Sequence, residues 1–562
     1  MGKNKTKKWF LSLPNVAAHF FSEELKRETL FGTLKKSLKK KNLKFSQAET
    51  LCGLLEKQAK VYPQKPFIYF EDQTISFGEA DDLTNSVGNY LSAIGFSQGD
   101  GLGIMMGNCP EFIYTYYATQ RMGMYMVPIN TALRGDGLEY IINHSDIKIL
   151  IIDAEQLPHI EAIKGGLKNI ESIYVRGTSS GGQALPSEFQ NIDIFFSSSK
   201  APSPSWKVKP DDISTIMYTS GTTGRPKGVV FDYSNTWLRR MGLFAHLIFN
   251  KDDVIYTCLP LFHANALFLT FSASLWLGIP VVLAKKFSAS KFWDEVNEHG
   301  ATTFSSIGAM IPILLKSPKK ADVSANSIRL VLSAACPAHS WEEFEDRFGL
   351  KIWEGYSAVD GGSRFIFNLG NAPVGSIGRP MGVKYKLLKE DGSEAGAREN
   401  GELVFCVDGE KKAVHYFKNE KATSEKVRDG LLYSGDILYK DEKGYLYFVG
   451  RKTESMRRRG ENVSAFEIEN TILKHPDILE CAAFGVPSQL AEEDIMCVVV
   501  PVGGQKIEPE NLKQWLGEKL ASFAIPRYIR VMNELPKTAT HRVIKGKLKD
   551  QGVTLDTIDL ES

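Results

Sequence analysis

The segment Tyr218-Thr219-Ser220-Gly221-Thr222-Thr223-Gly224-Arg225-Pro226-Lys227-Gly228-Val229 limits what this chain can fold into more than any other. It follows the apolar, β-branched run Ile213 to Met217, which reads as a buried strand. Glycines let a backbone approach an anion closely, and small hydroxyls and free N–H groups donate to phosphate oxygens. Lys227 adds a mobile positive charge. The segment is therefore a phosphate-gripping loop. The commoner nucleotide loop, G-x-x-x-x-G-K-[ST], is excluded because Gly228, not Ser or Thr, follows Lys227. A solvated connector would need no such order of hydroxyls, glycines and lysine.

With 562 residues the chain has room for more than one domain and for large buried cores. A net charge of +2 gives no global attraction to nucleic acid, and none is expected as a partner. The seven cysteines are scattered, with no zinc spacing and no C-x-x-C pair, as in a reducing compartment such as the cytoplasm. The most apolar run, Ala264 to Ala284, contains Asn265, Thr270, Ser272, Ser274 and Pro280 and reads as a buried helix followed by a strand. Charge is uneven at one end: residues 1–45 hold about a dozen Lys and Arg against three acids, around the apolar stretch Trp9 to Phe21. This basic extension suits either contact with an anionic membrane surface or a flexible solubilising arm.

From Ser46 the chain alternates helical and strand-like patterns: Leu51 to Val61 and Asp81 to Ile94 are helical, Phe67 to Phe70 and Gly101 to Met106 strand-like. Such alternation predicts largely parallel, doubly wound sheets. Beyond Gly375 short strands and turns take over, and after Gly450-Arg451 the helix–strand pattern restarts. A domain boundary is expected at Arg451, giving domains 46–450 and 451–562 after the extension.

The order S-G-T-T-G-x-P-K-G resembles the ATP loop of the adenylate-forming superfamily, and further motifs follow it in order. Leu259-Pro260-Leu261-Phe262-His263 is similar to an L-P-x-x-H segment at the edge of the acyl and nucleotide sites. Glu354-Gly355-Tyr356-Ser357-Ala358-Val359-Asp360 stands in the place of E-x-Y-G-x-T-E, where the tyrosine stacks on adenine and the closing acid holds Mg²⁺. Tyr433-Ser434-Gly435-Asp436 resembles the element whose aspartate accepts both ribose hydroxyls; two acceptor oxygens match a vicinal diol. Gly450-Arg451 and Gly460 sit at the spacing of the hinge motif, with Thr453 at the hinge and Arg457 where lysine is usual. With Trp341-Glu342-Glu343-Phe344, the run Arg457 to Ser464 looks like the fatty-acid-transport and carnitine-type acyl-CoA ligases, and its cations are candidates for coenzyme A phosphates.

The resemblance implies a large domain of two doubly wound α/β subdomains plus a small β-barrel, and a smaller mobile α+β domain. It implies ATP, Mg²⁺ and coenzyme A as cofactors. Thr219, Ser220, Gly221, Thr222, Thr223, Gly224 and Lys227 would grip phosphates, and Gly355, Tyr356, Ser357, Ala358, Asp436, Arg451 and Gly460 would hold the nucleotide. Asp360 would take the metal, and His263, Arg457, Lys545 and Arg542 would serve the chemistry. A carboxylate would attack the α-phosphate, releasing pyrophosphate, and the coenzyme A thiol would then displace AMP.

Two departures qualify this. The closing P-x-T-x-x-G-K motif appears as Pro536-Lys537-Thr538-Ala539-Thr540-His541-Arg542, so a planar guanidinium fills the lysine slot unless Lys545 or Lys547 substitutes. Val359 cannot donate to a phosphate, and Asp360 is one methylene shorter than glutamate. The expected function is an AMP-forming acyl-CoA ligase for a fatty or carnitine-type acid. The departures leave open a weakened fold that only binds ATP or acyl groups. An adenylating enzyme with a thiol acceptor other than coenzyme A is also left open.

Overall fold

The computed structural model describes residues 46–562 apart from 178–184, 220–224, 235, 309, 318–326, 371, 381–382, 408–412, 453–454, 459–460, 489–492, 506, 518, 521–523, 539–542 and 562. The basic extension, Ser220 to Gly224, the hinge Thr453, Gly460 and Arg542 therefore lie outside the described residues.

Strands β1 (Pro66–Phe70) and β2 (Gln73–Ser76) come first. The next group is β3 (Gly101–Met105), β4 (Tyr125–Pro128), β5 (Ile147–Asp153), β6 (Ser172–Arg176), β7 (Phe189–Asn191), β8 (Ile213–Thr219) and β9 (Lys227–Asp232). Then follow β10 (Ile255–Thr257), β11 (Val281–Leu283), β12 (Thr303–Ile307), β13 (Leu330–Ala334), β14 (Lys351–Tyr356) and β15 (Ile366–Asn368). They form two large sheets, in the order β7-β6-β5-β3-β4-β8-β9 and β15-β14-β13-β12-β10-β11-β1-β2. Interior pairings are parallel, as the strand–helix alternation predicts. Three of the four edges are not: β2, β9 and β15 run antiparallel to their neighbours, because each is joined to the preceding strand by a short return rather than a helix, while the edge strand β7 stays parallel to β6.

Local signals explain the element limits. The helix expected from Asp81 begins at Phe77, because Ser76 accepts the Glu79 N–H while the Glu79 carboxylate accepts that of Ser76, a reciprocal cap. Apolar periodicity alone missed that first turn. The run Ala264 to Ala284 becomes a π-helical turn (Asn265–Thr270), an α-helix (Phe271–Leu277) and β11. Among the described residues no helix is long and apolar enough to cross a membrane.

The unit expected as a small barrel is a five-stranded antiparallel sheet of β16 (Tyr385–Leu388), β17 (Gly401–Cys406), β18 (Val427–Arg428), β19 (Leu431–Lys440) and β20 (Leu446–Arg451). Gly378 joins it to the eight-stranded sheet: its φ is +93°, and a Cβ there would lie 1.9 Å from the Phe367 carbonyl oxygen. Only glycine fits so close a crossing. After a short hairpin, β21 (Ser455–Arg458) with β22 (Glu461–Ser464), come β23 (Ile478–Pro487), β24 (Glu493–Pro501), β25 (Tyr528–Val531) and β26 (Thr557–Asp559), in one mixed sheet. Separate apolar clusters cover its two faces, one around Ile468, Cys497 and Leu512, the other around Phe484, Val498 and Leu548.

The two large sheets meet at their carboxyl edges through Asn108, buried just past β3. Its Nδ2 donates to the Leu259 carbonyl at 3.0 Å and the Ala284 carbonyl at 2.8 Å, and its Oδ1 accepts the Leu261 N–H at 2.8 Å. These partners follow β10 and β11. One amide thus ties the end of one sheet to the loop carrying His263 in the other. Replacing Asn108 with alanine leaves three buried backbone groups unpaired, so Asn108→Ala is expected to cost about 2–4 kcal/mol. Asn108→Asp, which keeps the acceptor and loses both donors, should not recover it. Chemical denaturation of both variants beside the unaltered protein checks this; equal midpoints would refute the tie.

Candidate active site

In a parallel sheet every strand ends at the same edge, and the loops leaving that edge share one crevice. Four loops here do so. His263 follows β10, Gly308 follows β12, Ala335 follows β13, and Ser357 to Asp360 follow β14. The strands are neighbours in the order β14-β13-β12-β10, so residues up to 97 positions apart in the chain border one edge. The five-stranded sheet brings β19 and the helix Glu420–Lys426 to the same place.

Two carboxylates organise the site, Asp436 buried and Asp360 partly buried. Asp436, on β19, accepts the Tyr356 hydroxyl at 2.5 Å, and its other oxygen lies 3.6 Å from Arg451 Nε, directly across from it on β20. Burial raises the Asp436 pKa against the pull of Tyr356 and Arg451. The Tyr356 hydroxyl is pushed well up by burial and by the Asp436 charge, so it stays a donor. Asp360 is tuned the other way. Burial works to raise its pKa, but Lys426 Nζ, 2.8 Å from Oδ2, and the Tyr416 hydroxyl, 2.6 Å from the same oxygen, outweigh it and hold the carboxyl below its ordinary value.

Lys227 opens β9 with its Nζ 5.4 Å from the centre of the Tyr416 ring, and Thr219 Oγ1 is 3.4 Å from the Lys227 carbonyl. β8 and β9, the strands on either side of the phosphate-loop segment, pair antiparallel. A cleft of about 190 Å³ opens here, lined by Lys227, Tyr416, Lys426, Tyr433, Ser434 and Glu402 among others. Glu402 accepts the Gly435 N–H at 3.2 Å and pairs with Lys452 at 2.9 Å. Among the described residues no cluster of three or more His, Cys, Asp or Glu side chains could hold a metal alone. A single carboxylate is nevertheless what Mg²⁺ asks of a protein when phosphates supply its other ligands.

On the other side of Tyr356, apolar packing continues into a mostly aromatic wall. Val359 and Phe231 touch both the large core and that of the five-stranded sheet, and Phe231, Trp237 and Phe268 pack ring against ring at 4.4 to 6.0 Å. Trp237 brings a polar atom to this wall, and other residues near the same sheet edge carry further buried ones. Among the described residues His263 Nε2, Asn265 Oδ1, Trp237 Nε1 and Ser306 Oγ are buried without a hydrogen-bond partner. Burial lowers the His263 pKa to about 4, so the ring is neutral at physiological pH. Beneath them Glu354, almost fully buried, accepts the N–H groups of Ala335 and Cys336, the first in left-handed backbone at φ +65°. Burial lifts its carboxyl to about 7 despite those bonds.

The structure places Lys227 in this cleft, Asp360 in contact with its lining residues Tyr416 and Lys426, and Asp436, bonded to Tyr356 and 3.6 Å from Arg451, next to its lining residue Gly435. Gly355 lies on β14, Ser357 and Ala358 follow it, His263 follows β10 at the same sheet edge, and Thr219 ends β8. The structure keeps Lys545 in the last sheet unit, paired with Glu469 at 2.8 Å. Arg457 lies on β21, its side chain outside the described residues. The idea that this arginine run meets coenzyme A is corrected at Arg458. That side chain is 3% exposed and bonded to Glu561 at 2.7 Å and to the Ile525 carbonyl, with Asp494 at 3.6 Å. It is a structural tie. Sequence reasoning missed Lys426, Tyr416 and Asn108, and quoted Glu354 at the head of its motif without a role. Only the Asn419 cap before Lys426 leaves a local trace, since their partners lie far along the chain.

Comparison with known proteins agrees with this geometry. Residues 55–416 match the family model described as AMP-binding enzyme, and residues 467–542 match the AMP-binding enzyme C-terminal domain. The chain is 30% identical over 514 residues to a crotonobetaine/carnitine–CoA ligase of Salmonella arizonae, covering 87% of this chain and 97% of that protein. It is 30% identical over 508 residues to a sulfoacetate–CoA ligase of Cupriavidus necator, covering 89% and 97%. Among solved structures, the anthranilate CoA ligase AuaEII in complex with anthranoyl-AMP superposes with a TM-score of 0.80 at 25% identity, covering 90% of this chain and 98% of that one. ATP-bound MatB from Rhodopseudomonas palustris superposes at 0.76 and 26% identity, covering 89% and 98%. The chain belongs to the AMP-binding enzyme family, the adenylate-forming acid–thiol ligases.

Proposed function

We propose that this protein is an AMP-forming CoA ligase for a small polar carboxylic acid, with ATP, Mg²⁺ and coenzyme A as its cofactors. The observation that carries the reading is a pair of oppositely tuned carboxylates beside the Lys227 cleft: Asp360 pairs with its lining residue Lys426, and Asp436 directly follows its lining residues Ser434 and Gly435 on β19. Asp436 offers two buried acceptor oxygens, already oriented by Tyr356 and Arg451, to a ribose diol. Lys227 and Lys426 supply positive charge where phosphates would lie, and such fixed charge is what an in-line attack on phosphorus needs most. Mg²⁺ beside Asp360 would neutralise phosphate charge.

The domains are proposed as 46–450 and 451–562, hinged at Thr453, so that different faces of the smaller one serve adenylation and thioester formation. Arg542 or Lys545 would then supply the cation at the carboxylate. Lys545 would have to exchange its bond to Glu469 to do so. Arg457 would lie toward coenzyme A.

Of the fatty and carnitine-type acids that the sequence leaves open, the wall favours the second. We infer that the acyl group lies against this wall, where an alkyl chain would leave Trp237 Nε1, and with it His263 Nε2, Asn265 Oδ1 and Ser306 Oγ, unpaired, each at about 1–3 kcal/mol. A substrate with its own charged or hydrogen-bonding group would satisfy them. Relatives named for crotonobetaine, carnitine and sulfoacetate are consistent with this preference.

Pyrophosphate release with Mg-ATP should respond to polar acids such as carnitine or sulfoacetate more than to octanoate or palmitate, with thioester formed only when coenzyme A is present. A response to fatty acids alone would reverse the substrate assignment, and silence with every acid would remove the enzyme reading. Asp436→Asn, which removes charge from the diol acceptor, should raise KM for ATP about tenfold to a hundredfold. An unchanged KM would place the ribose elsewhere.

His263 also sets a pH signature. Unfolded, its ring takes a proton near pH 6.5; folded, only near pH 4. Between those values the unfolded state binds more protons, so stability falls as pH drops through the window. His263→Gln should lose that part of the slope while retaining the plateau above pH 7, and denaturation midpoints from pH 4 to 8 would show whether it does.

A further inference from the structure

The salt bridge between Lys426 and Asp360 is more than the closing acid of a nucleotide motif requires. Lys426 Nζ lies 2.8 Å from Asp360 Oδ2 and 3.2 Å from the Ser434 carbonyl, with the two side chains only 14% and 19% exposed. Tyr416 donates to the same Oδ2 at 2.6 Å. The lysine is the last residue of the helix Glu420–Lys426, whose first turn is fixed by the Asn419 side chain on the Ala422 N–H. Thr423 Oγ1 accepts the Tyr416 N–H at 3.0 Å, so the helix and the tyrosine form one unit. Lys426 is therefore an aimed cation, not a loose surface one.

Its surroundings suggest what it is aimed at. Lys426 and Lys227 both line the 190 Å³ cleft, and both approach Tyr416, one through the shared carboxylate and one over the ring. A nucleotide's phosphates placed there would be flanked by two ammonium groups. Lysine is suited to such a handover: its point charge can rotate between a carboxylate and a phosphate oxygen without a fixed fork to break.

We propose that Lys426 is a phosphate-binding residue of this ligase, held in reserve on Asp360 until nucleotide arrives. In the nucleotide-free protein it stands as the cation of Asp360 and competes with any divalent ion for that carboxylate. In the nucleotide complex its ammonium turns to a phosphate oxygen and leaves Asp360 to the metal. Proton count and covalent bonding are unchanged throughout; only ion-pair partners exchange. The inference rests on the nucleotide reading of the cleft.

Isothermal titration calorimetry of the full chain tests it with three probes: MnCl₂ alone, ATP in EDTA, and Mg-ATP. Lys426→Met is expected to bind Mn²⁺ at least about fivefold more tightly than the unaltered protein, because Asp360 is released. The same variant should bind metal-free ATP about tenfold to a hundredfold more weakly, the loss of one charge-assisted bond. Lys426→Arg should keep most of the ATP affinity. If Lys426→Met fails to fold, the neutral pair Lys426→Met with Asp360→Asn carries the ATP arm against Asp360→Asn alone, with the same loss expected. Unchanged ATP affinity, or Mn²⁺ binding no tighter in Lys426→Met, would overturn the proposal while leaving the nucleotide site standing. If the unaltered protein bound neither ATP nor Mg-ATP, the nucleotide reading would fall first, and this one with it.

Discussion

The Asn108 amide is the joint on which the site depends. Parallel sheets gather loops at their carboxyl edges, but two such sheets in one chain have no intrinsic reason to present their edges to each other. Asn108 supplies one, since it leaves β3 in the first sheet and satisfies Leu259, Leu261 and Ala284 at the ends of β10 and β11 in the second. Three bonds from one buried side chain permit little sliding. The His263 loop starts from that joint, since two of its residues, Leu259 and Leu261, bond to the Asn108 amide.

Against that frame, two aspartates of the same chemistry acquire different characters. Asp436 meets a tyrosine and a distant guanidinium, and desolvation wins, so its pKa rises. Asp360 meets a lysine at contact distance plus a tyrosine, and pairing wins, so its pKa falls. A close ammonium outweighs burial where an arginine at 3.6 Å does not. In each case a buried tyrosine, Tyr356 or Tyr416, locks the orientation of the carboxylate. Geometry and charge are set separately for the two carboxylates.

What was legible in the sequence was whatever is local in the chain. The strand before Thr219, the run of loop residues to Lys227, the Tyr356 and Asp436 motifs and the strand–helix alternation all declare themselves within a dozen residues. Antiparallel edge strands were not legible, because periodicity records which face is buried and not the direction of the neighbour. Lys426 looked like one more lysine in a charged helix, and Asn108 like one more asparagine in a turn. Their partners stand 66 and about 150 positions away, and no local pattern encodes such a meeting.

The departures at Val359 and Asp360 change meaning once Lys426 is on the page. Read singly, valine removes a phosphate donor and aspartate shortens the reach to a metal, so both weaken a nucleotide site. In the fold, Val359 packs against two apolar cores and fixes the loop that carries Asp360. Its hydroxyl-free side chain serves that packing; a polar group there would need a partner among apolar neighbours. Asp360, short as it is, is met by an ammonium placed on the end of a capped helix. The donor missing at one position and the methylene missing at the next are thus answered by a lysine whose sequence neighbourhood shows neither. On the proposed reading, Lys426 brings a charged donor from the helix where a threonine in the strand-end loop would have brought a neutral one.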